Sequence, residues 1–306
     1  MSRRNVLYGG ALALAGAWLA RWGFAARPPV SEPDPPVSEV EKSIAQGRGR
    51  LRHAWTEAQG LRIHSLAPRE PRADAPLLVL VHGSGLSCRY MIPTAHDLAN
   101  DCRVHVPDLP GFGDSDKRQE VLGVPQLADG LAAWLIAGGL ERASLLGNSF
   151  GCQVIADLAV RYPQLVAAAV LQGPTTPPDE RSWFWQFIRW RQNQRYNPRS
   201  LGPITYDDYK KCGLRRMLGS FDSQLTDRIE DKAPRIQAPV LVVRGEHDPI
   251  AHQRWCEEIV RLCPNGRLEI IGGVAHTLCY TAPAQLAAVT RAFVRELSDS
   301  RTAQSH

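Results

Sequence analysis

The sequence predicts an α/β fold: a mostly parallel sheet covered by helices on both faces, with one helical insertion. Three observations carry the prediction. Short, continuous apolar runs recur and end in Gly, Asn or Pro, as strands buried on both faces do. Stretches with helical periodicity separate them, and this alternation is the pattern of crossover connections. The alternation breaks once, over about 175–238, which marks an inserted cap.

In chain order, LRHAWTEAQGLRIHSL reads as a hairpin turned at Gln59-Gly60. PLLVLVHG (76–83) is a fully apolar strand ending in glycine, and a helical pattern covers 90–99. CRVHVPDLPG is a buried strand running into a turn, Leu127 to Ala137 a helix, and RASLLGN a further strand. From Phe150 to Tyr162 the spacing predicts a helix with Val154, Ile155, Leu158, Ala159 and Tyr162 inward, stopped by Pro163. VAAAVLQGP is the next strand. After the break come the strand of PVLVVRGEHDP, a helix around 252–263, the strand of RLEIIGG, and a last helix from about Pro283 to Leu297.

Two segments precede the globular part, 51–306. Residues 1–26 open with Arg3-Arg4, followed by an uncharged stretch from Val6 to Ala20 that Arg21 ends. As a helix it would span about 22 Å, short of the ~30 Å hydrocarbon core. SRRNVL resembles a bacterial twin-arginine export signal, with FAA (Phe24 to Ala26) a weak cleavage site. The expectation is an exported protein, periplasmic or membrane-anchored, with membrane association through this segment. An uncleaved anchor and a cytoplasmic protein are the alternatives. Residues 27–50, rich in Pro, Ser and charge, read as a disordered linker.

Hydrophobic content of 44% and charged content of 22% over 306 residues allow a full core without disulfides or metals. The formal net charge is +5, and Arg181 to Arg235 alone holds twelve Lys/Arg against six Asp/Glu. A solvated helical surface is the plain reading; acidic substrates or an anionic membrane are the others. No recognised motif supports nucleic-acid binding. The seven cysteines form no C-x-x-C pair and no zinc spacing. They read as small apolar core residues, and neither a metal nor a cofactor is expected.

The chemistry centres on Gly147-Asn148-Ser149-Phe150-Gly151, a G-x-S-x-G between strand and helix. Such a sharp turn leaves no room for side chains beside the serine, and the helix start favours negative charge there. A serine needs a base to take its proton, and His276 follows two glycines in IIGGVAHTL. The imidazole needs an acid behind it. Asp248, past a strand end in VVRGEHDPI, is favoured over Glu246. Oxyanion donors fall to the backbone N–H groups of Phe150 and of Ser84 in LVLVHGSGLS, with Gly85 the alternative to Ser84. His82 is expected to brace that loop.

HGSG, DLPGFGDSD (Asp108 to Asp116), GNSFG, GEHDP and GGVAH, in this order over roughly 51–297, resemble the α/β-hydrolase superfamily. The resemblance implies an eight-stranded, mostly parallel sheet, a helical cap after the sixth strand, and the triad Ser149, Asp248, His276. DLPGFGDSD reads as structural, with Gly111 and Gly113 permitting a tight turn and Asp108 pinning the loop. Ser149 stands where haloalkane dehalogenases and epoxide hydrolases carry Asp. C–C hydrolases of the meta-cleavage-product type often have HGSGPG and GNSMGG, from which this chain departs at Leu86, Phe150 and Cys152. Cofactor-free haloperoxidases share the triad. The expected activity is hydrolysis of an ester or related acyl bond of a small, fairly apolar substrate. C–C hydrolysis and a non-catalytic ligand- or partner-binding scaffold are the alternatives. Trp183, Trp185, Phe187 and Trp190, with Phe184 and Ile188, are too densely apolar for a solvated surface. They either pack the cap onto the core, roof the pocket, or touch lipid. Arg189, Arg191 and Arg195 between them would suit an acidic headgroup or carboxylate.

Overall fold

The computed structural model describes residues 30–304 apart from 71 and 141. The expected export segment, 1–26, lies outside the described residues. The chain enters the sheet through the hairpin of β1 (Leu51–Ala58) and β2 (Leu61–Pro68), paired antiparallel. Gln59 and Gly60 turn it with φ of 50° and 70°, the left-handed pair that suits a two-residue hairpin. Then follow β3 (Leu77–Val81), β4 (Arg103–Pro107), β5 (Ala143–Asn148), β6 (Val166–Gln172), β7 (Val240–Gly245) and β8 (Gly266–Ile271). The spatial order is β1-β2-β4-β3-β5-β6-β7-β8. β2 meets β4 antiparallel, and every later pairing is parallel.

Alternation along the inner strands builds two cores at once. Val79 and Val81 belong to one apolar cluster, Leu78 and Leu80 to the other; Leu145 and Leu146, Val242 and Val243 divide the same way. The helices are α1 (Val37–Ala45), α2 (Ile92–Leu98), α3 (Val124–Ala137), α4 (Phe150–Arg161), α5 (Trp183–Asn193), α6 (Leu201–Cys212), α7 (Leu214–Thr226), α8 (Ile229–Lys232), α9 (Gln253–Leu262), α10 (Leu278–Thr281) and α11 (Pro283–Gln304). α4 is buried continuously from Phe150 to Ala159, because it packs between the sheet and α3. All seven cysteines are free and buried. α5 to α8 fall between β6 and β7, after the sixth strand as expected.

The linker expectation for 27–50 requires correction, because α1 lies inside it. Val37, Val40 and Ile44 are buried in the same cluster as Leu51, Ile92 and Leu98, and Glu41 pairs with Arg89 at 2.6 Å. The flanking prolines and charges dominate the composition, while three apolar residues at helical spacing suffice to dock one face.

Candidate active site

Every sequence-predicted catalytic residue lies past the carboxyl end of a strand, where open parallel sheets place their sites. Gly83 follows β3, Ser149 follows β5, Asp248 follows β7 and His276 follows β8. β3 and β5 are neighbours, with Val81 opposite Gly147. That pairing brings the HGSG loop against the serine turn.

Ser149 sits at φ 56°, ψ −118°, a strained backbone for a residue with a side chain. Its N–H donates to the Gln172 carbonyl at 2.9 Å. A Cβ on Gly147 would lie 2.7 Å from the Gly151 carbonyl carbon, and one on Gly151 would lie 2.4 Å from the Val81 oxygen. Both glycines are therefore required by contact.

The His276 imidazole meets Asp248 through Nδ1 and Oδ2 at 2.8 Å, with both residues buried. The other Asp248 oxygen accepts from the Ile250 and Ala251 N–H groups at 2.8 and 2.9 Å, which holds the carboxylate still. Glu246 instead accepts from the Gly273 N–H and is exposed. His276 Nε2 is buried without a hydrogen-bond partner among the described residues. Ser149 and His276 line one cavity of about 410 Å³, together with Gly83 and Ser84.

Several bracing groups were not singled out in the sequence. Tyr90 donates to Asn148 Oδ1, Asn148 Nδ2 to Gln172 Oε1, and Gln172 Nε2 to the His276 carbonyl, at 3.1, 2.6 and 2.9 Å. Asn193, the last residue of α5, accepts from the His276 N–H and donates to Thr277 Oγ1, both at 3.1 Å. Gly173, at φ 60°, lies so close to the ring that a Cβ would stand 2.8 Å from His276 Cε1. A glycine just after the VAAAVLQ strand was the one available signal; the amides gave none, since polar pairs distant in sequence leave no local pattern.

His82 braces its loop as expected. Its Nε2 accepts from the Leu109 N–H at 3.0 Å, so Nδ1 carries the proton that reaches the Gly83 carbonyl at 2.8 Å. Burial lowers its pKa, which keeps the ring neutral. Asp108 accepts from the Cys88 and Asp114 N–H groups and meets His64 at 2.7 Å. Burial pushes its pKa up, but His64, His82 and the Cys88 N–H together outweigh this and hold it below the usual range. His64, Cys88 and Asp108 bring three potential metal-ligand atoms within 4.8 Å of one another. The Asp108 oxygens are already engaged, and burial pushes the Cys88 thiol well up, so the group reads as a brace.

One expectation for the cap requires correction, and another is narrowed. Trp183, Phe187 and Trp190 line the cavity, but Trp185 does not. Positions 183, 187 and 190 share one helix face, and 185 lies about 200° away. Arg189, Arg191 and Arg195 do not line the cavity, and Arg189 pairs with Glu180. Among the described residues, His276 is the one ionisable side chain of the lining apart from the tyrosines Tyr90 and Tyr209, since no Asp, Glu, Lys or Arg takes part.

The model of the alpha/beta hydrolase family matches residues 78–289. The chain belongs to this family. It is 26% identical over 235 residues to a carboxylesterase, YbfK, of Bacillus subtilis (strain 168), covering 69% of this chain and 77% of that protein. It is 27% identical over 213 residues to a pyrrolizixenacetamide deacetylase of Xenorhabdus hominickii, covering 61% and 79%. Its fold resembles the crystal structure of a bacterial membrane phospholipase A, with a TM-score of 0.70 and 23% identity over 96% of this chain and 99% of that one. At that identity the last likeness concerns the fold alone.

Proposed function

We propose that the chain is a serine hydrolase that cleaves an ester or related acyl bond of a small, apolar, uncharged substrate. The observation that carries this reading is one cavity lined by both Ser149 and His276, with Asp248 hydrogen-bonded behind the imidazole. With Nδ1 protonated toward Asp248, Nε2 is the basic nitrogen, and it is the one left without a partner. Substrate closes the remaining step by bringing the Ser149 hydroxyl onto Nε2; catalytic hydrogen bonds commonly tighten only in the substrate complex.

In this mechanism Ser149 attacks the acyl carbon as His276 takes its proton. The tetrahedral oxyanion rests on the N–H groups of Phe150, at the start of α4, and of Ser84. The Ser84 hydroxyl is tied to Ser220 of α7 at 2.8 Å, which holds the donor loop against the cap. His276 then protonates the leaving group, and water releases the acyl-enzyme by the reverse sequence. Losing one oxyanion donor would cost roughly 10²–10³ in rate. The carboxylesterase and deacetylase relatives support acyl chemistry. The absence of Lys and Arg from the lining among the described residues supports a neutral substrate and speaks against a dienoate, which carries a carboxylate.

A fluorophosphonate probe tests the reading. Wild type should be labelled and Ser149→Ala should not; an unlabelled but folded wild type would leave a binding scaffold. p-Nitrophenyl butyrate should be hydrolysed in preference to a dienoate ring-fission product, and the opposite preference would establish C–C hydrolysis instead.

A further inference from the structure

One helix of the cap carries large aromatic side chains that the protein leaves in water. On α5, Trp183, Phe184, Trp185, Phe187 and Trp190 are 46, 66, 45, 53 and 39% exposed. Apolar side chains scattered singly on a surface are ordinary, but a cluster of this kind marks a contact face. Its position sharpens the point. Trp183, Phe187 and Trp190 border the catalytic cavity, as does exposed Leu218 of α7. Phe184 and Trp185 turn away from the cavity and meet each other edge to face at 5.5 Å. The aromatic cluster of α5 thus lines the catalytic cavity with one set of rings and presents the other set to solvent.

Two further observations say what covers it. The same insertion exposes the cations Arg191, Arg199, Lys210 and Arg215, within the segment whose Lys/Arg outnumber Asp/Glu twelve to six. Trp and Phe interspersed with Arg and Lys is the composition of a surface that lies in the headgroup layer of an anionic membrane. The chain also reaches the described fold at this cap. Glu32 bonds to the hydroxyl of Ser200, the residue before α6. The uncharged stretch from Val6 to Ala20 ends twelve residues earlier, at most about 40 Å of extended chain. Among the described residues no helix is long and apolar enough to cross a membrane.

The geometry points to α5 as an interfacial docking surface: the cavity mouth lies face-down on an anionic lipid surface, with Phe184 and Trp185 seated among the headgroups. The substrate is then an ester whose acyl chain is already dissolved in the lipid and enters past Trp183 and Phe187 without crossing water. That consequence rests on the hydrolase reading; the docking does not.

The full chain is mixed with vesicles of phosphatidylcholine, with and without phosphatidylglycerol, whose acyl chains carry bromine as a tryptophan quencher. The difference between wild type and Trp185→Phe isolates the Trp185 signal. It is expected to be quenched on phosphatidylglycerol vesicles, and much less on phosphatidylcholine alone or in high salt. In Phe184→Ser/Trp185→Ser, hydrolysis of a vesicle-borne ester should fall at least about tenfold, with soluble p-nitrophenyl butyrate turned over as in wild type. A Trp185 signal that vesicles leave unquenched overturns the proposal, including the case in which residues 1–29 or a second copy cover α5. Quenching equal on both vesicle types overturns its anionic part. A chain that docks but hydrolyses neither ester refutes the hydrolase reading and leaves the docking in place.

Discussion

Gly173 shows how narrowly the imidazole is held. Its φ of 60° disfavours any side chain by about 1–2 kcal/mol, and its missing Cβ is the space against which His276 lies. In Gly173→Ala the ring must shift, and a displacement near 1 Å at a reacting group can cost about 10²-fold. The expected outcome is a 10- to 100-fold lower kcat on p-nitrophenyl butyrate, with KM nearly unchanged and only a small loss in the urea midpoint. Equal kcat in the two proteins would show that the ring has freedom to spare. The serine, the histidine and the aspartate were legible from local motifs, because each sits in a turn with its own residue signature. Asn193 and Gln172 were not, because their hydrogen bonds to the His276 backbone join residues 83 and 104 positions apart.

Among the elements, the inner strands were the most legible and α1 the least. A strand buried on both faces has to be continuously apolar, so β3, β5 and β7 announce themselves. α1 shows only Val37, Val40 and Ile44 to the core, inside a stretch whose prolines and charges suggest an unfolded chain. The two descriptions make different predictions. Val40→Ala in a docked helix removes buried methyl groups and should cost about 1–2 kcal/mol; in a free linker it should cost nothing. Chemical denaturation of the full chain, followed by circular dichroism, distinguishes them. α5 is the converse case, since its aromatic density was plain but its phase decided which rings face the cavity and which face outward.

At the scale of the whole molecule, the cap is fastened to the sheet through a buried seam. Asp208 of α6 accepts from the Ser87 hydroxyl at 2.9 Å, and burial pushes its carboxyl up to about 6, against the lowering effect of Ser87. An acid whose folded pKa is raised binds its proton more tightly in the folded state. Its favourable contribution is therefore complete below the unfolded value near 4 and is lost as pH rises through about 6. Asp208→Asn should remove that dependence and raise stability at pH 7–8 by up to about 3 kcal/mol. Urea unfolding between pH 4 and 8 would show the wild-type slope flattened in the variant.

By itself the sequence determined the alternation of strands and helices, the place of the insertion, and which serine, histidine and acid stand at strand ends. These follow from periodicity and turn chemistry, which act over a few residues. The tertiary structure alone decided that the cap braces the histidine loop through Asn193, that Gly173 makes room for the imidazole, and that no Lys or Arg among the described residues lines the cavity. Each of these depends on distances across the sheet, set by strand order and helix phase, and no local pattern records them.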